Sequence, residues 1–302
     1  MRINEGVLVR HPTKPDWGLG KVLAMQGNNV TIYFKDDATD HRTFLVDKIK
    51  LNVAEDQSDP MLDKLPPFVK GAFVTKTKKV TIQEGIEAFK KQLPGCFADP
   101  NYLGVGDVDV VGERNYKLRA HQRYLDGFGD GKGEALLESG KIDELRDLVQ
   151  GIVTKDHMNL LSPYEAMAFR DGLIASDKTA AEYFRALFLF VKGGPNQQSF
   201  NALASAVTNL PVQEGRARVA TWPVLTLPPF LADPNRFMFL KPEPTQACAD
   251  RLRFDLLYDS SLRWVTYERL MTMGEILLNE LKPLGAQDFI DVQSFMWVIQ
   301  KY

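Results

Sequence analysis

Residues 10–34 read RHPTKPDWGLGKVLAMQGNNVTIYF, and this stretch decides the fold of the first part of the chain. Two apolar or β-branched runs within it, Lys21–Met25 and Val30–Phe34, have the length of strands. Residues 27–29 between them are Gly-Asn-Asn, residue types that tolerate the positive φ of a tight hairpin turn. The stretch therefore predicts a β-hairpin.

Further strand-like runs flank this hairpin at Val7–Arg10, Thr43–Val46 and Lys48–Leu51. Five short strands within about fifty residues are typical of a small barrel, which removes its own edges by closing. The sequence thus predicts an SH3-like or Tudor-like β-barrel over residues 1–53.

The residues just before the second strand predict a sharp corner. Gly18 and Gly20 flank Leu19, and glycine permits a tight backbone turn or a bulge that bends a strand. Trp17 places a large ring at the mouth of the barrel, where it either caps the core or faces a partner. Both roles stay open at this point.

Alternation along the third strand limits which other rings can join Trp17. Tyr33 and Phe34 point to opposite faces, so at most one of them lines the same surface. The residues that we predict to bind a partner are Trp17, Tyr33 and His11.

The segment 6–51 resembles a family of small bacterial Tudor-like domains. The matching pattern is a strand, His-Pro, Asp-Trp-Gly-x-Gly, a second strand and a third strand that ends in Phe. This family is similar to the RNA-polymerase-interacting domains of CarD-type regulators and of transcription-repair coupling factor, and to the Tudor-like tail of UvrD-type helicases. The resemblance implies docking on RNA polymerase or on a nucleoprotein complex. The residues that carry it are Pro12, Asp16, Trp17, Gly18, Gly20 and Phe34.

Charge favours a protein partner over the DNA backbone for this first domain. Residues 1–67 hold nine Lys or Arg and ten Asp or Glu, whereas phosphate contact depends on clustered positive charge. A protein partner could bind by adding a strand to an edge of the barrel, which does not require clustered positive charge.

Bulk composition describes an ordinary globular chain. It has 302 residues, is 44% hydrophobic and 25% charged, and carries a net charge of −2. Apolar runs fall short of the roughly 20 residues that span a bilayer, and the N-terminus lacks the apolar stretch of a signal peptide. We therefore expect a cytoplasmic protein without a membrane partner. The two cysteines lack ligand spacing, so neither a metal site nor a cofactor is predicted.

Beyond the barrel, the sequence predicts a linker and then helices. Residues 54–67 are acidic and contain proline, as linkers often do. Capping boxes at Thr81–Glu84 and Ser162–Glu165 predict two helix starts. Residues 179–191 are apolar almost all round and predict a central helix. We expect an α+β chain in which residues 68–302 form one mostly α-helical domain. Its predicted core aromatic residues include Trp222, Phe237, Phe239, Trp264 and Trp297.

The helix predicted over residues 113–125 is the best local basic element. A cationic face with interleaved tyrosines suits phosphate contact or base stacking, although solvated amphipathic helices also carry such charges. Leu118 and Leu125 are the residues expected to anchor this helix. The predicted nucleic-acid-binding residues are Lys117, Arg119, Arg123 and Tyr124.

Two groups of carboxylates could hold a metal. Asp288 and Asp291 have the spacing of an N-cap and a first-turn acid, which favours helix capping. Asp107, Asp109 and Glu113 could bind Mg²⁺ through their oxygens. They support the alternative hypothesis of a metal-dependent nuclease or phosphoesterase.

The leading functional prediction is a macromolecular binding protein that acts in transcription or another DNA transaction. The barrel would dock RNA polymerase or a nucleoprotein complex, and the helical domain would serve as scaffold or as a nucleic-acid surface. No catalytic residue is predicted. The alternatives are the metal-dependent enzyme described above and a structural subunit of a larger assembly.

Overall fold

The computed structural model describes residues 3–75, 77–104, 112–154, 160–215 and 217–301. The first part of the chain is an antiparallel sheet, and the remainder is mostly helical. The prediction of an α+β chain with a small β-rich part before a larger helical part is therefore confirmed.

The N-terminal sheet has five strands in the order β4-β3-β2-β1-β5. A register shift between Val22 and Ala24 marks a bulge in β2, as the bend of this strand requires. Within the described residues β4 and β5 form the two edges and do not pair, so the sheet is open where the sequence predicts a closed barrel. The strands are β1 (Leu8–Arg10), β2 (Leu19–Gln26), β3 (Asn29–Phe34), β4 (Arg42–Leu45) and β5 (Asn52–Val53).

The two faces of the sheet bury different side chains. Alternation sends Phe34 to one face, where it packs with Val9 and Val22. The neighbouring Tyr33 goes to the other face and packs with Leu8. Both faces are therefore covered, one by the turns of the sheet itself and the other by the chain that follows.

Residues 54–67, the predicted linker, pack under the sheet. The side chain of Leu62 is fully buried, and it joins Leu8 and Tyr33 in the second cluster. Asp59 accepts hydrogen bonds from the backbone N–H groups of Met61 and Leu62, at 2.9 and 3.1 Å, and so shapes the 3₁₀ turn Leu62–Lys64. A short hairpin of β6 (Phe68–Val69) and β7 (Ala72–Phe73) completes this cover.

Both predicted capping boxes are present. Thr81 and Glu84 bond each other's backbone N–H groups at the start of α1, and Ser162 and Glu165 do the same at α6. The helices are α1 (Ile82–Gln92), α2 (Pro100–Leu103), α3 (Glu113–Phe128), α4 (Lys132–Glu138), α5 (Ile142–Thr154), α6 (Pro163–Ile174), α7 (Asp177–Gly193), α8 (Gln197–Thr208), α9 (Trp222–Ala232), α10 (Pro242–Arg251), α11 (Trp264–Leu281) and α12 (Phe289–Ile299).

The core of the helical part forms around α7 and α9. The predicted central helix is confirmed, because α7 buries Tyr183, Phe184 and Leu187. Every residue of α9 is buried. Trp222, Phe237 and Phe239 are core residues as predicted, and Trp264 packs against them partly buried. The prediction for Trp297 is wrong, since its side chain is 44% exposed on the outer face of α12.

Polar contacts fasten the sheet to the helical part. Arg253 donates to both carboxylate oxygens of Asp40, at 2.6 and 3.1 Å, and to the carbonyl of Thr77. Lys79 inserts its ammonium group beneath β3, where it donates to the carbonyl oxygens of Phe34 and Asp37. Both cations are almost completely buried, so the sheet and the helical part are in close contact at this junction.

None of the described helices combines the length and the apolar character needed to cross a lipid bilayer.

Candidate functional site

An aromatic cluster lies on one face of the N-terminal sheet. Trp17 ends a 3₁₀ turn, and its ring contacts His11 at 4.6 Å and Phe34 at 5.3 Å between centroids. Phe44 of β4 joins the cluster 5.5 Å from His11. Trp17, His11 and Phe44 are partly exposed, so the cluster forms a surface as well as a core.

The two glycines of the Asp-Trp-Gly-Leu-Gly motif make this cluster possible. Gly18 has φ 68° and ψ −153°, a backbone conformation that is almost confined to glycine. A Cβ atom there would lie 1.9 Å from Oδ2 of Asp36, and one at Gly20 would lie 2.5 Å from the ring of Phe34. The motif thus turns the chain sharply and lets the Phe34 ring pack against backbone.

A cation covers the cluster from β4. The guanidinium of Arg42 lies 4.2 Å from the centroid of the Trp17 ring, a favourable cation–π contact. Asp37 holds it there through two hydrogen bonds, and Thr39 supports both partners. Burial would raise the pKa of Asp37, but the hydrogen bonds from Arg42 and Thr39 lower it below its ordinary value. The pair therefore stays ionised at neutral pH.

The protonation of His11 follows from the same surroundings. Burial, together with the charges of Lys14 and Arg42, lowers the pKa of His11. The imidazole is therefore mainly neutral at pH 7, and its Nδ1 lies 3.2 Å from the backbone nitrogen of Thr13 as an acceptor.

A groove of about 340 Å³ runs from the cluster along β4. The rings of His11 and Phe44 line it, as does Leu45, whose side chain is 46% exposed. Lys48 and Lys50 also line it, and its described lining contains no carboxylate. We call this groove, with its two lysines, the β4 groove.

The structure places Tyr33 away from this surface. Its side chain is 1% exposed and packs edge-on against Phe73 on the opposite face of the sheet. The ammonium of Lys79 lies 4.1 Å from its ring centroid. The expectation that Tyr33 offers a ring to a partner therefore does not fit its position, whereas His11 and Trp17 do share one surface.

The predicted basic helix turns part of its predicted binding face inward. In α3 the buried face contains Lys117 and Tyr124, which are 6% and 4% exposed, while Leu118 and Leu125 are each 37% exposed. The face expected to meet nucleic acid is thus largely the packing face, and the leucines expected to anchor the helix are on the outside. Arg119 is exposed, and Arg123 lies at the edge of the packing face.

Lys117 belongs to a polar network that joins α3 to α12. Its Nζ donates to Oε2 of Glu113 at 3.0 Å and to Oγ of Ser294 at 3.2 Å. Burial lowers the pKa of Lys117, against the attraction of Glu113 and Asp291.

Arg114 forms the other half of this network. Its guanidinium bonds Asp288 through two nitrogens, at 3.0 and 2.7 Å, and Asp291 at 2.6 Å. Asp288 also caps α12, as predicted, and Asp291 accepts the hydroxyl of Tyr102. Burial and the charge of Asp291 raise the pKa of Tyr102, so this hydroxyl stays protonated and donates.

The remaining predicted carboxylates do not form a described metal site. Asp107 and Asp109 lie outside the described residues, and Glu113 is bonded to Lys117. Groups of three potential metal ligands do not occur within the described ranges.

Sequence reasoning missed several residues of these sites. Arg42, Lys79 and Arg114 act through partners on other elements, and a local pattern does not reveal such partners. Phe44 could have been found, because alternation in the fourth predicted strand places it apart from Thr43 and Leu45.

Comparison with known proteins reaches only the N-terminal sheet. Residues 3–39 match the model of a family described as "Protein of unknown function (DUF3553)". The matched segment includes β1, β2, β3 and the Asp-Trp-Gly-Leu-Gly motif. No curated protein matches the chain, and no solved structure matches it.

Proposed function

We propose that the N-terminal sheet is a protein-docking module that binds an acidic, extended segment of a partner along the β4 groove. The observation that carries this proposal is the outer edge of β4, which pairs with no other described strand, beside a cationic, partly apolar groove. An exposed edge strand offers backbone N–H and C=O groups for strand addition, and flanking pockets select side chains.

Part of the outer edge of β4 is available for a new strand, and the carbonyl of Leu45 already accepts the backbone N–H groups of Lys48 and Ile49, at 3.0 and 3.2 Å. In the described part of the chain β3 pairs with one side of β4, and the sheet order leaves the other side without a partner strand. Thr31 and Thr43 bond each other across the β3–β4 pair at 3.0 Å, which keeps β4 in register. The edge is thus fixed in position before any partner arrives.

Charge selects the kind of segment that fits. Lys48 and Lys50 line the groove, and the groove's described lining lacks acidic residues. Electrostatic complementarity of this kind speeds encounter and fixes register. An acidic segment with an apolar residue that packs on the rings of His11 and Phe44 meets both requirements.

The identity of the partner rests on the resemblance of residues 6–51 to polymerase-interacting Tudor-like domains. On that basis we propose that the segment belongs to RNA polymerase or to a nucleoprotein complex that contains it. That the open sheet is related to SH3-like or Tudor-like domains is part of the same proposal.

Binding of purified RNA polymerase to the immobilised full chain, measured by biolayer interferometry, tests this function. Leu45→Asp puts a carboxylate into the groove and should reduce the affinity at least about tenfold, because a rim charge of the wrong sign opposes the acidic segment. Val74→Asp is the matched control, since Val74 is 66% exposed and does not line the groove. Equal affinities of the two variants, or no binding by the unmodified chain, would contradict the proposal.

A further inference from the structure

A cleft opens where the N-terminal sheet meets the helical part. Its volume is about 550 Å³, within the range of about 300–1,000 Å³ that is common for small-molecule sites. The end of β3 and part of the segment 54–67 border it on one side, and α1 and the last turn of α11 border it on the other. Ligand sites often lie at junctions of this kind. We call it the junction cleft.

Most of the charged side chains that line the junction cleft are acidic. Asp16, Asp36 and Asp59 lie on the sheet side, and Glu280 lies on α11. Lys35 is the one cation in the described lining, and its Nζ lies 3.2 Å from Oδ2 of Asp59. The side chains of the other three acids form no hydrogen bond or ion pair within the described part of the chain. Their carboxylates therefore remain for a ligand.

Asp36 is held beside the turn that carries Asp16. Its backbone N–H donates to the carbonyl of Trp17 at 3.2 Å, so the two acids are neighbours in the wall of the cleft. Partial burial raises the pKa of Asp36, although three nearby cations act in the opposite direction. The protein's own cations thus compensate this carboxylate incompletely, and a bound cation would stabilise it.

Tyr33 adds a buried polar group without a partner. Its side chain lines the cleft and is 1% exposed. Buried tyrosine hydroxyls usually find a hydrogen-bond partner, but the hydroxyl of Tyr33 bonds to none of the described residues. Burial raises the pKa of Tyr33, so the hydroxyl stays neutral and its oxygen is an acceptor. An acceptor within an acidic cleft favours a ligand that donates N–H groups.

Apolar side chains complete the lining. Met61, Ile86 and Ile276 all border the cleft, and the first two are buried. They offer a surface on which methylene groups leave water. The positive end of α1 also borders the cleft, but Glu84 of its capping box offsets it. The lining therefore suits a cation with a hydrocarbon chain.

We propose that the junction cleft binds an aliphatic polyamine, with ammonium groups on Asp36 and Glu280 and an N–H group on the hydroxyl of Tyr33. A bare metal ion would leave the apolar lining uncovered, and groups of three potential metal ligands do not occur among the described residues. Tyr33 lines the cleft from the face of the sheet opposite to the aromatic cluster. This site is therefore independent of the docking function proposed for the β4 groove.

Isothermal titration calorimetry of the full chain with spermidine tests the proposal, with hexylamine as the probe that keeps a hydrocarbon chain but carries one ammonium group. Spermidine should bind at millimolar concentrations or below, and hexylamine should bind at least about tenfold more weakly, because linked groups engage two carboxylates together. Absence of spermidine binding, or equal affinities for the two amines, would overturn the proposal.

A capped tripeptide of lysine carries the same charge as spermidine and distinguishes a free polyamine from a protein segment. The tripeptide should bind more weakly than spermidine, since its backbone has no place among the apolar side chains. Tighter binding of the tripeptide would assign the cleft to a protein partner and overturn the proposal.

Glu280→Gln should weaken spermidine binding at least about threefold, because it removes a charge while keeping the size of the side chain. Glu275→Gln is the matched control, since Glu275 is exposed on the same helix and does not line the cleft. If the two variants bind spermidine equally, Glu280 is not part of the site and the proposal fails.

Tyr33→Phe removes the hydroxyl and keeps the ring that packs against Phe73. Spermidine affinity should fall at least about fivefold, because hydrogen bonds to charged groups are among the stronger ones. Stability in urea unfolding should not fall, since the hydroxyl has no partner among the described residues. Unchanged affinity for spermidine would overturn the proposal, whatever the effect on stability.

Discussion

At the scale of single residues, the structure explains why the Asp-Trp-Gly-Leu-Gly motif has glycine at positions 18 and 20. Gly18 is needed for its backbone conformation. Gly20 is needed because the Phe34 ring lies where its Cβ atom would be. Trp17 and His11 can then cover Phe34 from outside and, with Phe44, build the aromatic cluster from four positions between residues 11 and 44.

Gly18→Ala should lower the free energy of unfolding by about 1–3 kcal/mol from backbone strain, and the exposed carboxylate of Asp36 must rotate aside to make room for the new methyl group. Gly27→Ala is the matched control. Gly27 also has a positive φ, 59°, but its Cβ atom would meet no atom within 4 Å. Urea unfolding of both variants measures the difference. A loss for Gly18→Ala no larger than that for Gly27→Ala would show that the backbone conformation of Gly18 is no more restrictive than that of Gly27.

Lys79 should make stability depend on alkaline pH. Burial lowers its pKa to about 8, so the unfolded chain binds this proton more tightly than the folded chain does. Between about pH 8 and the ordinary lysine value the unfolded state therefore carries more protons, and stability rises with pH. The full rise corresponds to about 3 kcal/mol.

The comparison with Lys79→Met isolates this contribution, because the other titrating groups are common to both proteins. Urea unfolding at intervals from pH 7 to pH 10 should show the unmodified chain gaining stability relative to the variant as pH increases. Parallel pH profiles for the two proteins would mean that Lys79 keeps an ordinary pKa.

At the scale of elements, the polar network fixes α3 against α12. Asp291 is 1% exposed and accepts hydrogen bonds from Arg114, Tyr102 and the backbone of Gln287. Its removal leaves the Arg114 guanidinium buried with one counter-ion fewer. Asp291→Ala should therefore cost about 3–5 kcal/mol of stability in urea unfolding.

The control for this loss is Glu144→Ala, which removes the exposed pair between Lys141 and Glu144, whose side chains are 51% and 55% exposed. Surface pairs contribute about 0–1 kcal/mol. If Asp291→Ala costs no more than Glu144→Ala, the network does not hold the two helices together.

The sequence predicts elements better than it predicts how they face one another. Strand runs and capping boxes depend on neighbouring residues, and β1 to β4, α1 and α6 lie close to their predicted positions. The inward face of α3 depends on Asp288 and Ser294, 174 and 177 positions away from Arg114 and Lys117. A helical pattern groups residues on one face but does not say which face packs. For the same reason the sequence pattern does not show that Trp297 faces outward or that β4 lies at an edge of the sheet.

At the scale of the whole molecule, the sheet and the helices should unfold together. Leu62 is fully buried between β1, β3 and the chain that leads into the helical part. Leu62→Ala should destabilise the whole chain by about 2–5 kcal/mol. The loss of unfolding free energy should be the same whether it is measured by hydrogen exchange of amides in β2 and β3 or by the helical circular dichroism signal.

Leu45→Ala serves as the control, since Leu45 is 46% exposed in the same sheet and should change stability little. A variant Leu62→Ala in which the sheet amides exchange faster while the helices keep their stability would show that the two parts are separate units.

The burial of Arg253 and Lys79 at the junction has a geometric result for any partner on β4. A flexible linker would let the sheet take many orientations relative to the helical part. The two buried cations and the buried turn at Leu62 instead fix one orientation. A partner that binds to the sheet would therefore be held at a fixed angle and distance from the helical part.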